Sequence, residues 1–172
     1  MSHDHDRRRR VLAVDPTTKG FGFAVLEGAD SLVDWGIRIC QCDKETSCLR
    51  RVEELCDRYK PDVLVLEDYT ARGFRRCRRV RALIRSIGAL GLRRNVRARF
   101  IPRSRLSAAV ASAKAGTKGE IARAVAQRFP ELARHLPVAR RPWNSEDARM
   151  AIFDAVALAL SASTHAPAEH RL

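Results

Sequence analysis

Two near-continuous apolar runs in this chain end in a carboxylate. Val11-Leu12-Ala13-Val14 is followed by Asp15, and Val63-Leu64-Val65-Leu66 is followed by Glu67. A third acid, Asp154, interrupts the apolar stretch Met150-Ala151-Ile152-Phe153-Asp154-Ala155-Val156. An acid in such surroundings costs stability unless it is paired or liganded. If the first two runs are parallel neighbours in a sheet, Asp15 and Glu67 meet at one edge, and a final helix adds Asp154 and Asp147. Carboxylates gathered this closely repel one another and call for cations, and hard oxygen donors select Mg²⁺ or Mn²⁺. Two such ions about 4 Å apart activate a water and stabilise the leaving oxygen of an in-line phosphoryl displacement. Asp15, Glu67, Asp147 and Asp154 are therefore the candidate metal ligands and catalytic acids. Plainer readings stand beside this one. Asp15 precedes Pro16-Thr17-Thr18, a turn-forming context, and Asp147 suits the first turn of a helix. Asp68 and Glu146 are expected to face solvent.

The charge distribution suggests what such a site would act on. The chain has 33 Lys and Arg against 20 Asp and Glu, a formal charge of +13. From Tyr69 to Gly119 there are 13 Arg, 2 Lys and no acid, whereas the remainder is nearly neutral. A cationic block of this kind suits a polyanion, because each neutralised phosphate releases counterions. The preference for Arg over Lys favours bidentate phosphate contacts. Arg codon bias offers a plainer account of that preference, but it does not explain the missing acids. A cationic surface beside an acidic metal site is the layout expected of a nuclease. Candidate nucleic-acid contacts are Arg72, Arg75, Arg76, Arg78, Arg79, Arg81 and Arg85, with Arg103, Arg105, Lys114 and Lys118 farther along.

These residues need a scaffold. At 172 residues the chain is the size of one domain, expected over 10–163, with a disordered basic arm at 1–9 and a loose tail from 164. Residues 11–15, 21–26 and 31–40 read as a three-stranded antiparallel meander, with Val33, Trp35, Ile37 and Ile39 on one face of the third strand. Residues 46–59 read as an amphipathic helix, 62–66 as a strand buried on both faces, and 75–90 as a helix. That second helix carries an apolar stripe of Val80, Leu83, Ile84, Ile87 and Leu90, which suits either a dimer interface or the protein's own core. A fifth strand is expected at 96–101, a short helix at 106–113 and a helix at 120–129. Residues 130–142 look irregular. A last helix is capped by Ser145 and runs to about residue 163. With the short 106–113 helix left aside, the order β-β-β-α-β-α-β-α-α gives an α/β protein with a mixed five-stranded sheet flanked by helices, the order of the RNase H-like fold.

Three segments carry a more specific resemblance. VLAVDPTTKGFGFAVLEG resembles the first motif of RuvC-type Holliday junction resolvases, PDVLVLEDY their second, and FDAVALALS their last. The resemblance extends over about residues 10–163. It implies an RNase H-like, Mg²⁺-dependent homodimer that places paired symmetric nicks in four-way DNA junctions, leaving 5′-phosphate and 3′-hydroxyl ends. It maps Asp15, Glu67 and Asp154 onto catalytic carboxylates, and Lys118 onto a basic residue near the scissile phosphate. It also offers Tyr69 or Phe74 for an aromatic that probes the junction centre. The sequence departs from the family in three places. Ala151 stands where the family has an acid or a His. Asp147, the nearest acid upstream, would lie roughly two helical turns and 10.5 Å from Asp154. Leu106 is followed by Ser107 rather than a Lys, leaving Arg103 or Arg105 as the replacement, and SAKAGTK replaces a glycine-rich stretch. Alternatives are another RNase H-fold nuclease acting on RNA or flap DNA, a non-catalytic nucleic-acid-binding module, and one lobe of a sugar-kinase or actin-type ATPase.

Other readings bound the answer. No apolar run is long enough to span a bilayer. The charged start MSHDHDRRRR does not read as a secretory signal. Neither a membrane partner nor a small-molecule cofactor is expected. The five cysteines are Cys40, Cys42, Cys48, Cys56 and Cys77. The spacing of Cys40, Cys42, Cys48 and Cys56 fits no common zinc knuckle, and these four read as buried thiols; the odd count suits a reducing, cytoplasmic or nucleoid setting, with an organelle as the alternative.

Overall fold

The computed structural model describes residues 9–41, 43–110, 116–138 and 147–164. Most of the basic arm, Cys42, Lys114, Ser145, Glu146 and the tail beyond residue 164 lie outside the described residues.

The first three strands are β1 (Arg10–Pro16), β2 (Gly20–Glu27) and β3 (Ser31–Ile39), and helix α1 (Lys44–Tyr59) follows. Strand β4 (Val63–Glu67) leads to helix α2 (Arg78–Arg93), and β5 (Arg97–Ile101) leads through a 3-10 turn to the short α3 (Leu106–Ala109). Helix α4 (Lys118–Arg128), a second 3-10 turn at Pro130–His135 and helix α5 (Met150–Thr164) complete the described chain. The sheet order is β3-β2-β1-β4-β5. β1 pairs antiparallel with β2 and parallel with β4, and β5 adds parallel to β4. This is the mixed sheet of the RNase H-like fold.

Strand alternation divides the core in two. Val11, Ala13, Val63 and Val65 face a cluster formed with α3, α4 and α5. Leu12, Val14, Leu64 and Leu66 face a cluster formed with α1 and α2. By the same alternation Asp15 and Glu67, the last acids of β1 and β4, fall on the α5 side. Parallel pairing of β1 and β4 then makes them edge neighbours.

Several elements differ from the sequence reading. On β3 the pairs Leu26↔Leu32 and Val25↔Asp34 leave Val33 as the extra residue of a bulge. A bulge shifts the alternation by one, so Leu32 joins Trp35 and Ile37 in packing on the core, while Val33 and Ile39 are exposed. Helix α2 begins at Arg78 rather than at residue 75, capped by an extended Cys77 with φ −62° and ψ 160°. Its stripe of Val80, Leu83, Ile84, Ile87 and Leu90 is buried in the protein's own core, which removes that stripe as a hint of dimerisation. Within the described residues α5 starts at Met150, so Asp147 belongs to the preceding turn rather than to the helix. The irregular stretch after residue 129 opens with a 3-10 turn, and α4 starts two residues earlier than expected.

The thiols of Cys40, Cys48 and Cys56 are buried, and Cys77 is exposed. Cys48 and Cys40 sulfurs lie 2.9 Å apart. Burial, and then the hydrogen bond with Cys40, push the Cys48 thiol up to about 12.

Candidate active site

Among the described residues, the buried polar or charged side chains are Asp15, Glu67, Asp154 and Ser161. Ser161 donates to the Ala157 carbonyl one turn back in its own helix, at 2.8 Å. The other three are the carboxylates expected from the sequence, all between 2% and 4% exposed. Three buried anions need compensation, and three cations from three different segments supply it.

Arg76, in the irregular lead-in to α2, is a fork. Its Nη2 donates to Asp15 Oδ1 at 2.6 Å, and its Nη1 donates to the Pro16 carbonyl at 2.7 Å. Its Nε lies 2.8 Å from Glu67 Oε2. Arg103, in the turn after β5, donates from Nη2 to Asp154 Oδ1 at 2.9 Å. Lys118 Nζ lies 3.4 Å from Asp154 Oδ2.

The local sequence explains how Lys118 is held. Thr117 and Glu120 form a capping box: the Glu120 carboxylate accepts the backbone N–H groups of Gly116 and Thr117 at 2.9 and 2.8 Å. Lys118 is thus the first residue of α4, where a cation faces the positive end of the helix dipole. The Asp154 carboxylate offsets that placement. The T-x-x-E spacing at Thr117–Glu120 is the sequence signal for this helix start.

The placement of Asp154 depends on Gly22. In the β1–β2 register Gly22 is the partner of Asp15. A Cβ at Gly22 would lie 2.3 Å from the Ala151 carbonyl oxygen and 2.6 Å from the Ala151 Cβ. The first turn of α5 therefore rests on the glycine backbone, bringing Asp154, one turn later, over the end of β1. The resemblance leaves Ala151 as the odd position, and the structure gives it a packing role against β2.

The electrostatics follow from this crowding. Burial pushes the Asp15 carboxyl up from 3.8 to about 7; Asp154 and Glu67 add to the rise, while Arg76 and Lys118 oppose it. The pKa of Arg76 is raised as well: despite burial, Asp15 and Glu67 hold its guanidinium charged.

The donor set suits a divalent cation. Glu67 Oε2 and Asp154 Oδ2 are buried and accept no hydrogen bond. The ion-pair contacts to Arg76 Nε and Lys118 Nζ bring charge to these oxygens without hydrogen-bond alignment, which leaves lone pairs for a hard ion. At the same time, among the described residues no three Asp, Glu, His or Cys side chains form a converged metal cluster. The guanidinium of Arg76 stands between Asp15 and Glu67.

Two cavities meet at this point. A cleft of about 660 Å³ is lined by Asp15, Glu67, Arg75, Arg76, Ile37, Ile39 and the Asp147 turn. A second cavity of about 340 Å³ lies against Glu67, Arg72, Phe74, Arg103, Ser104 and Lys118. Both are bounded by cations, as a phosphate backbone would require.

The other expected residues fall into two groups. Arg72, Arg75, Arg78, Arg79, Arg81, Arg85 and Arg105 are exposed. Arg81 lies over the Phe74 ring, 5.1 Å from its centroid. Phe74 lines the smaller cavity, whereas Tyr69 packs edge-on against Phe100 at 5.6 Å. Arg76 and Asp147 are each paired with another side chain of the protein. Arg76, grouped by the sequence reading with the DNA contacts, pairs with the acids. Asp147 is held by Arg149, whose Nη2 lies 2.6 Å from its Oδ2; that contact keeps its carboxyl below the usual range. The sequence reading missed Arg76 as a member of the site, and no local pattern distinguishes it from its arginine neighbours.

The fold has solved counterparts. Thermus thermophilus RuvC superimposes with a TM-score of 0.64 and 17% identity, covering 88% of this chain and 92% of that one. The same organism's RuvC in complex with a Holliday junction substrate gives 0.61 and 18%, covering 89% and 91%. The yeast mitochondrial Holliday junction resolvase gives 0.53 and 14%, covering 90% and 77%. No family model and no curated protein sequence matches the chain. At these identities the similarity defines the class: the chain has the RNase H-like fold in the form found in RuvC resolvases.

Proposed function

We propose that this protein is a metal-dependent, structure-selective DNA endonuclease that resolves four-way junctions. The observation that carries the reading is the set of three buried carboxylates, Asp15 and Glu67 at the sheet edge and Asp154 on α5, paired with three cations beside two basic cavities that Asp15 and Glu67 line. The fold shared with solved resolvases, one of them bound to a Holliday junction, supports the choice of substrate.

Asp15, Glu67 and Asp154 are the residues that would hold Mg²⁺ or Mn²⁺, two ions in all, with Asp147 at the mouth of the cleft as a further carboxylate. Held by these residues, such ions would supply Lewis acidity to activate water and to neutralise charge on the phosphoryl oxygens. The protein's own groups do the rest. Lys118 and Arg103 flank Asp154 and offer positive charge to the scissile phosphate. The exposed arginines of α2 and its lead-in, with Arg72 and Arg105, hold the backbone on either side. Water attacks phosphorus, the bond to the 3′ oxygen breaks, and that oxygen takes a proton, leaving 5′-phosphate and 3′-hydroxyl ends. Phe74, beside Glu67 at the smaller cavity, is better placed than Tyr69 to stack on a base at an opened junction.

Two symmetric cuts require two sites, so the working unit is a homodimer. The face of α2 turned from the core carries Ala82, Ala89 and Leu92, all exposed. Residues 10–163 form the nuclease unit. The free thiols suit a reducing compartment, and among the described residues no helix is long and apolar enough to cross a membrane.

The test is incubation with Mg²⁺ and a labelled four-way junction, beside linear duplex, flap DNA and an RNA hairpin, with Asp15→Asn as control. Paired nicks confined to the junction and lost in the variant are the expected result. Equal cutting of RNA or flap would move the protein to another RNase H-fold activity. Wild-type cutting by Asp15→Asn would refute the site.

A further inference from the structure

We propose that Arg76 is an internal counter-ion that occupies the cation position between Asp15 and Glu67 until nucleic acid draws it away, so that the protein takes up its metal ions together with its substrate. This rests on the metallonuclease reading above.

Three features support it. First, the Arg76 guanidinium contacts both acids at once, at 2.6 Å to Asp15 and 2.8 Å to Glu67. A divalent ion ligated by those two oxygens would need the same space. Second, Arg76 is not fixed by helix hydrogen bonding. It lies in the irregular lead-in two residues before α2 begins, downstream of Gly73, whose φ of 91° marks a turn with open space around it. Third, its neighbours Arg75, Arg78 and Arg79 are exposed. A phosphate backbone bound there would stand next to Arg76 and compete for its fork, because Arg binds phosphate in the bidentate manner it uses for carboxylate.

With all three acids ionised, Arg76, Arg103 and Lys118 neutralise the carboxylates, and a metal ion must displace a guanidinium to enter. With substrate, the guanidinium moves to phosphate and the carboxylates are released to the metal. Linkage makes the effect reciprocal: whatever binds Arg76 raises metal affinity, and metal raises affinity for the polyanion by the same factor.

The test is calorimetric titration of Mn²⁺ into the nucleic-acid-free full chain. Arg76→Ala should bind Mn²⁺ at least about tenfold more tightly than wild type, since no charge-assisted pair has to be broken. Millimolar guanidinium ion should weaken Mn²⁺ binding to Arg76→Ala by refilling the vacated space, and should leave wild type unaffected. Arg76→Lys, which keeps the charge but loses the fork, should fall between the two; it carries the test alone if the alanine variant fails to fold. Wild-type or weaker Mn²⁺ affinity in Arg76→Lys and in folded Arg76→Ala would overturn the proposal while leaving the metallonuclease reading in place. No Mn²⁺ binding by any of the three proteins, with or without a four-way junction, would overturn both.

Discussion

Gly22→Ala should displace the site without touching any of its acids. The added Cβ would lie 2.3 Å from the Ala151 carbonyl oxygen, whereas ordinary contact begins at 3.4 Å, so α5 and β2 must part by about 1.1 Å. The obstructing atoms include the backbone carbon and oxygen of α5, which cannot rotate away. Overpacking of this kind costs about 1–3 kcal/mol. A misplacement of about 1 Å at reacting groups costs on the order of 10²-fold in rate. The variant should therefore fold, unfold several degrees lower, bind a four-way junction as well as wild type, and cleave it about a hundredfold more slowly in single turnover. Adding Ala151→Gly should not rescue it, because the carbonyl remains. A Gly22→Ala protein that cleaves at the wild-type rate would refute the claim that the α5–β2 contact sets Asp154 against Asp15.

Two further outcomes follow from the charges. The folded protein keeps a proton on Asp15 between its ordinary 3.8 and about 7, where the unfolded chain has released it. Stability of the metal-free protein should therefore be highest below the unfolded value and fall as pH rises through about 7, by at most on the order of 4 kcal/mol. Asp15→Asn should flatten that profile in urea unfolding followed from about pH 5 to about pH 8; an unchanged slope would assign the effect to other groups. Replacing the exposed Arg78, Arg81 and Arg85 with Ala should weaken junction binding and reduce the slope of log K against log salt by up to about 2.7. An unchanged slope would place α2 away from the DNA.

The order of elements was legible because periodicity is local. Alternation set β1 and β2, a continuous apolar run set β4, and the acids stood out at Asp15, Glu67 and Asp154 because they break apolar segments. Where local pattern was mistaken, a tertiary contact had prevailed. The bulge at Val33 reassigns the faces of β3 because β2 fixes the register. Helix α2 starts late because Arg76 is drawn to acids outside its own segment. Asp147 leaves the helix for a turn closed by Arg149.

The sequence by itself determined that three carboxylates would be buried near one another and that an arginine-rich segment would lie beside them. Both follow from residue type and spacing along the chain. Only the tertiary structure decided which cation answers which acid. Arg76 reaches Asp15 across 61 positions of sequence, and Arg103 reaches Asp154 across 51. A long side chain has many neighbours of opposite charge within reach. Which one it meets depends on how the sheet edge and α5 are packed, and that packing turns on the missing side chain of Gly22.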